Sequence, residues 1–145
     1  MRVVGSHNPS DCGVCAVACA LDVSYEQAFG FFDFQRRTKF GTTTKDVVKA
    51  LHRSHLVWAT SRKLLRVPMT SWEGLKTIIP AGARVILKLH HQRMGKNWHW
   101  AAYGDSHIYD STLPKPFHVS NHKKVTDLRP MSYIHIERKY PDVSQ

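Results

Sequence analysis

Cys12 stands between Asp11 and Gly13 at the head of a strongly helical run, and His99 and Asp110 follow far downstream in strand-like segments. A thiol, an imidazole and a carboxylate are the parts of a nucleophile, a general base and a group that orients the base. Thiolate is the reactive form of cysteine, and the first turn of a helix favours it through unpaired backbone N–H groups and the helix dipole. If the three side chains meet, Cys12 is the nucleophile, His99 the general base and then acid, and Asp110 the group that fixes the imidazole tautomer. That is machinery for acyl transfer.

Whether His99 and Asp110 can meet is a question of register. With Gly104-Asp105 as a two-residue hairpin loop, where glycine at the first central position suits a type II′ turn, Tyr103 pairs with Ser106 and His99 with Asp110. Opposed residues share a face with Cβ atoms about 4.5–5.5 Å apart, within reach of a carboxylate–imidazole hydrogen bond. A four-residue loop keeps the pairing. A three-residue loop turns the carboxylate to the other face unless a bulge corrects it.

The elements that must position these residues are helical first and extended afterwards. Asp11 is expected to cap a helix through Leu21, with Val14, Cys15, Ala18 and Cys19 on one face. Ser24 opens a second helix from Tyr25 to about Phe34 with Phe29 and Phe32 inward, and Thr43 or Thr44 a third, Lys45 to His52, with Val47, Val48 and Leu51 at helical spacing. Strands are predicted over Leu56–Thr60, Ala83–Leu89, Trp98–Tyr103, His107–Ser111 and Ser132–Glu137, with a short helix at Ser71–Lys76. The order predicts a single α+β domain over 1–145, N-terminal helices packed on a C-terminal antiparallel sheet. His90 and His91, adjacent and so a poor metal-ligand pair, are placed with Gln92–Lys96 on a basic loop before His99, read as a solvated connection, with a steering or lid role at the cleft edge as the alternative. Trp98 and Trp100 flank His99 on the opposite strand face, as core or as a stacking surface.

Composition bounds the function. The chain has 145 residues, enough for a core without disulfide or metal staples, and no apolar stretch of membrane-spanning length. The N-terminus carries no secretory h-region, and the three cysteines lie within eight residues, where a disulfide would staple nothing distant; both features point to a reducing, cytoplasmic setting. A net charge of +10 makes an acidic partner plausible, but the basic clusters at Arg36, Arg37 and Lys39, at Arg62, Lys63 and Arg66, and at Lys123 and Lys124 are scattered. Nucleic acid is the minority reading beside a peptide or protein substrate. No residue pattern calls for a cofactor or a metal.

The run Asp11-Cys12-Gly13-Val14-Cys15-Ala16-Val17-Ala18-Cys19-Ala20-Leu21 resembles the Asp-Cys-Gly helix of papain-like cysteine peptidases of the bacteriocin-processing type, found at the head of peptide-exporting transporters. Gly41-Thr42-Thr43 before a helix, Gly74-Leu75 before a Pro80-linked strand, His99 opening a strand and Tyr109-Asp110-Ser111 closing the next follow the same order. The resemblance implies a papain-like fold, amide hydrolysis, and Cys12, His99 and Asp110 at the triad positions. That family usually has a glutamine a few residues before the cysteine as an oxyanion donor; here the nearby residues are Ser6, His7 and Asn8, of which Asn8 has the matching amide.

Competing readings use the same residues. Cys12-x-x-Cys15 matches a redox pair but lacks the preceding strand of a thioredoxin-like fold, and three cysteines with His7 do not have finger spacing for zinc. Cys15 and Cys19 read as small core residues. A papain-like module without catalysis, binding an acidic protein or nucleic acid, and a transglutaminase-like acyl transferase are the rival functions.

Overall fold

The structure is a computed structural model describing residues 1–8, 10–33, 42–63, 74–91, 98–121 and 128–139. Helix α1 (Cys12–Leu21) is buried from Gly13 to Leu21, as an all-apolar helix must be. Asp22 ends it in the left-handed conformation, its N–H meeting the carbonyls of Ala18 and Cys19. Helix α2 (Tyr25–Phe29) starts from a capping box between Ser24 and Gln27 and is shorter than its sequence suggests, since Gly30 closes it. Phe32 is buried beyond the helix, in a turn; Phe34 lies outside the described residues. Helix α3 (Thr44–Arg53) begins at a second capping box, Thr43 with Asp46, and buries Val47, Ala50 and Leu51.

Strands β1 (Val57–Lys63), β2 (Arg84–His91), β3 (Trp98–Gly104), β4 (His107–Tyr109), β5 (Phe117–His118) and β6 (Leu128–Arg138) form one antiparallel sheet in the order β1-β6-β2-β3-β4-β5. Alternation divides the core in two. Ile86, Trp100, Ala102, Ile134 and Ile136 face α1, α2 and α3, whereas Val85, Leu87, Leu89, Ala101 and Tyr103 pack with Leu75 and Ile79 of the short α4 (Leu75–Ile78) and its C-terminal flank. The arrangement is α+β, helices first and sheet after. β5 has no counterpart in the sequence reading, being two residues long. His90 and His91 end β2 rather than sitting on a loop, His90 opposite Trp98. The segments 71–73 and 92–97, where a helix start and a basic loop are expected, lie outside the described residues.

The β3–β4 hairpin differs from expectation in an instructive way. Its two loop residues are Asp105 and Ser106, both with positive φ (50° and 62°), a type I′ geometry, so that Gly104 pairs with His107 and Ala102 with Tyr109. The loop is displaced by one residue and the pairing by two. A shift of two preserves the face, so His99 and Asp110 remain on the same side, diagonal rather than directly opposed.

Candidate active site

The N-terminus of α1 abuts β3, and there Cys12, His99 and Asp110 come together. His99 Nε2 donates to Asp110 Oδ1 at 2.9 Å, with the Asp110 side chain 2% exposed and that of His99 18%. Cys12 is the ring's other neighbour, and with Nε2 engaged by Asp110 the nitrogen left for the sulfur is Nδ1. Burial opposes the charged imidazole, yet the Asp110 bond and charge, together with the Cys12 sulfur beside the ring, raise the His99 pKa to about 10. Burial likewise opposes the Asp110 carboxylate, and the His99 bond, the imidazolium charge and the bonds from Thr112 overcome it and hold its pKa below the ordinary value.

Thr112 fixes that carboxylate: its N–H and its hydroxyl both donate to Asp110 Oδ1, at 2.9 and 2.8 Å. The pattern is an Asx turn, legible in Asp110-Ser111-Thr112 but not used in the sequence reading.

Asp11 does something other than cap. Its side chain makes no hydrogen bond to its own helix; Oδ2 accepts from the N–H groups of His7 (2.7 Å) and Asn8 (3.2 Å), and Oδ1 from Ser6 Oγ (2.7 Å). The Tyr25 hydroxyl is a further partner, and the His7 ring stacks on Tyr25 at 3.7 Å. Burial raises the Asp11 pKa, but these donors outweigh it and lower the net value. The segment Ser6–Asn8 is thereby folded beside the N-terminus of α1, and Ser6 N–H reaches the Ser111 carbonyl at 3.4 Å, next to Asp110. Asn8 Oδ1 accepts from Ser10 N and Oγ, at 3.0 and 3.1 Å, so the Asn8 amide nitrogen points away from Ser10.

Gly13 is required by a close approach. A Cβ there would sit on Thr42 Oγ1, 3.3 Å from Thr42 Cβ and 3.4 Å from Trp100 Cδ1. The Thr42 carbonyl accepts from both indoles, Trp98 Nε1 at 2.8 Å and Trp100 Nε1 at 3.0 Å. Trp100 is core, at 1% exposure, whereas Trp98 is half-buried. Nothing in the sequence marks Thr42 as their common partner, because the contact spans more than fifty residues.

The other two cysteines are buried, and burial pushes both pKa values up to about 12. Among the described residues no group of three or more His, Cys, Asp or Glu side chains could hold a metal ion. A concavity of about 720 Å³ opens at the opposite end of α1, lined by Asp22, Arg84 and Arg138 among others, and touches none of Cys12, His99 or Asp110.

The fold matches that of a solved peptidase domain. It is similar to the crystal structure of the peptidase domain of Streptococcus ComA, a bifunctional ABC transporter involved in a quorum-sensing pathway, with a TM-score of 0.58 over 93% of this chain and 96% of that one. The two are 15% identical, so the likeness is one of architecture. No protein-family model and no curated protein matches the sequence. The structural match extends across nearly all of both chains, which places α1 and the sheet in the same relation as in that peptidase domain.

Proposed function

We propose that the protein is a cysteine peptidase-like hydrolase that cleaves an amide bond in a peptide or protein through Cys12, His99 and Asp110. The observation that carries this reading is the His99 imidazole held between the Asp110 carboxylate at 2.9 Å and the Cys12 thiol. The reactive form of the pair has the proton on the His99 ring and the charge on the sulfur. Cys12 Sγ adds to the amide carbonyl, and the oxygen that becomes negative is met by the Cys12 backbone N–H and the Asn8 amide. Collapse breaks the C–N bond as His99 gives its proton to the leaving amine, leaving a thioester. Water then loses a proton to His99, attacks the thioester and releases the acid and the thiolate. Asp110 keeps Nε2 protonated throughout and stabilises the ring's charge.

The likeness to a peptidase domain supports a peptide as the substrate class. The experiment is cleavage of a proteome-derived peptide mixture, read by mass spectrometry, with wild-type, Cys12→Ala and His99→Ala proteins. Cleavage by wild type and its loss in both variants, with unchanged circular dichroism, is the expected result. Undiminished cleavage by Cys12→Ala would sink the proposal.

A further inference from the structure

Lys88 is a cation beside this site for which the mechanism has no use. Its Nζ lies over both indoles that hang from Thr42, 4.8 Å from the Trp98 ring centre and 5.4 Å from that of Trp100, and it donates to Thr44 Oγ1 at 3.0 Å. Trp100 lies against Gly13, the residue after Cys12, and Lys88 pairs with Trp100 across the sheet, so the ammonium stands on the sheet face that carries α1, on a platform adjoining the start of the nucleophile's helix.

The charge of Lys88 is uncompensated. It belongs to none of the ion pairs among the described residues, and burial, with no carboxylate acting against it, lowers its pKa. The acids of the active site and of the first turn of α3 are committed elsewhere: Asp11 to the Ser6–Asn8 segment, Asp110 to His99, Asp46 to the cap of α3. Thr44 is the first residue of α3, where the helix dipole presents its positive end, so the neighbouring helix adds to the positive potential instead of relieving it. Indole faces attract a cation, but they do not cancel its charge.

A bulge adjoins it. Lys88 pairs with Ser132 and Leu89 with Pro130, leaving Met131 as the extra residue of β6, an irregularity of the kind that re-aims side chains next to sites. Lys88 itself is half-buried, and burial makes its charge interact more strongly than an exposed one.

We infer that Lys88 is a specificity determinant that binds a carboxylate of the peptide close to the scissile amide, making the preferred substrates acidic there. That carboxylate belongs either to an Asp or Glu side chain or to the free C-terminus of a short product-side segment. The inference deepens the hydrolase reading and rests on it for its meaning, yet it is measurable without hydrolysis.

The probe is a set of chloroacetyl peptides that alkylate Cys12, each made with Glu or with the isosteric Gln one, two or three residues from the warhead, and each as free acid and as amide. The second-order rate of Cys12 alkylation is followed by intact mass and peptide mapping at low and high salt. At one position the Glu peptide is expected to react about tenfold faster than its Gln twin, the scale of one charge-assisted hydrogen bond. A free-acid advantage with no Glu effect assigns the carboxylate to the C-terminus. The Glu/Gln ratio is expected to fall close to one in Lys88→Met and to survive in Lys88→Arg. Equal rates for every acidic and neutral pair in wild type overturn the inference whether or not any variant folds, and so does a ratio that persists in Lys88→Met. Absence of peptide cleavage beside a Lys88-dependent ratio would remove the hydrolase and leave the subsite standing.

Discussion

Replacing Asp110 by Asn removes one negative charge and little else, because the amide oxygen can still accept from His99 Nε2 and from Thr112. The His99 pKa stands at about 10, with burial pulling it down and the Asp110 bond and charge leading the forces that raise it. An opposite charge at hydrogen-bond distance is worth roughly one to three pKa units, so the ring in Asp110→Asn is expected to titrate between roughly 7 and 9. At pH 8 the wild-type ring is then about 99% charged, whereas a ring with a pKa of roughly 7 is about 9% charged. Hydrolysis needs the imidazolium as the acid that protonates the leaving amine, so the alkaline limb of the rate profile should move down by the same one to three units or so. NMR titration of the His99 ring in both proteins measures the shift, and iodoacetamide alkylation of Cys12 against pH measures its consequence for the thiolate. The signs for stability follow. His99 has a folded pKa above its unfolded value of about 6.5, so its contribution is complete below that pH and disappears as pH rises through about 10. Asp110 has a lowered folded pKa, so its contribution is present above its unfolded value of about 3.9 and is lost as pH falls through the lowered one. The stability gap between wild type and Asp110→Asn in urea should therefore be widest between about pH 4 and 6.5 and narrow towards pH 10. A His99 ring that titrates near 6.5 in wild type, or identically in both proteins, would refute the reasoning.

Gly13→Ala places a methyl on Thr42 Oγ1 and against Trp100, an overpacking expected to cost about 1–3 kcal/mol, visible as a lower urea midpoint; an unchanged midpoint would show that Thr42 yields freely. Asn8→Ala removes the side-chain oxyanion donor and is expected to lower the hydrolytic rate by about 10²–10³ with no change in Cys12 alkylation, whereas an unchanged rate would leave the backbone N–H as sole donor. Cys15 and Cys19, with pKa values near 12, should stay unmodified by iodoacetamide in the native protein at pH 8 while Cys12 is labelled; peptide mapping that finds equal labelling would contradict their burial.

Much of this site was legible because it depends on parity rather than on detail. The sequence reading chose the wrong pair of loop residues, Gly104-Asp105 in place of Asp105-Ser106, since glycine is the stronger turn signal and an Asp-Ser type I′ turn is an unusual one. An even displacement nonetheless leaves His99 and Asp110 on one face, and the carboxylate reaches the ring along the diagonal. The helices were legible from their caps, Ser24-x-x-Gln27 and Thr43-x-x-Asp46, both of which form the expected reciprocal bonds. What the sequence could not convey was long-range: Thr42 as the acceptor of two indoles, Lys88 above them, and a two-residue β5 too short to carry a pattern. The assignment of His90 and His91 to a loop failed because two adjacent polar residues at a strand end look like its continuation into solvent.

The most consequential departure is Asp11. An aspartate before a helix is ordinarily read as a cap, worth about 1 kcal/mol through a bond to the helix's own N–H groups. Here the carboxylate turns backwards and gathers Ser6, His7 and Asn8, so the N–H groups of the first turn are left without a side-chain acceptor. That arrangement leaves the positive end of α1 available at Cys12, where the proposed reaction places the nucleophile and the oxyanion. The proposed reaction then uses the triplet as a unit: Asp11 holds the segment that carries Asn8, Cys12 lies beside His99, and Gly13 admits Thr42, from which Trp98 and Trp100 are suspended. Each of the three residue types is dictated by a different contact, and none of those contacts is with its neighbours in the triplet.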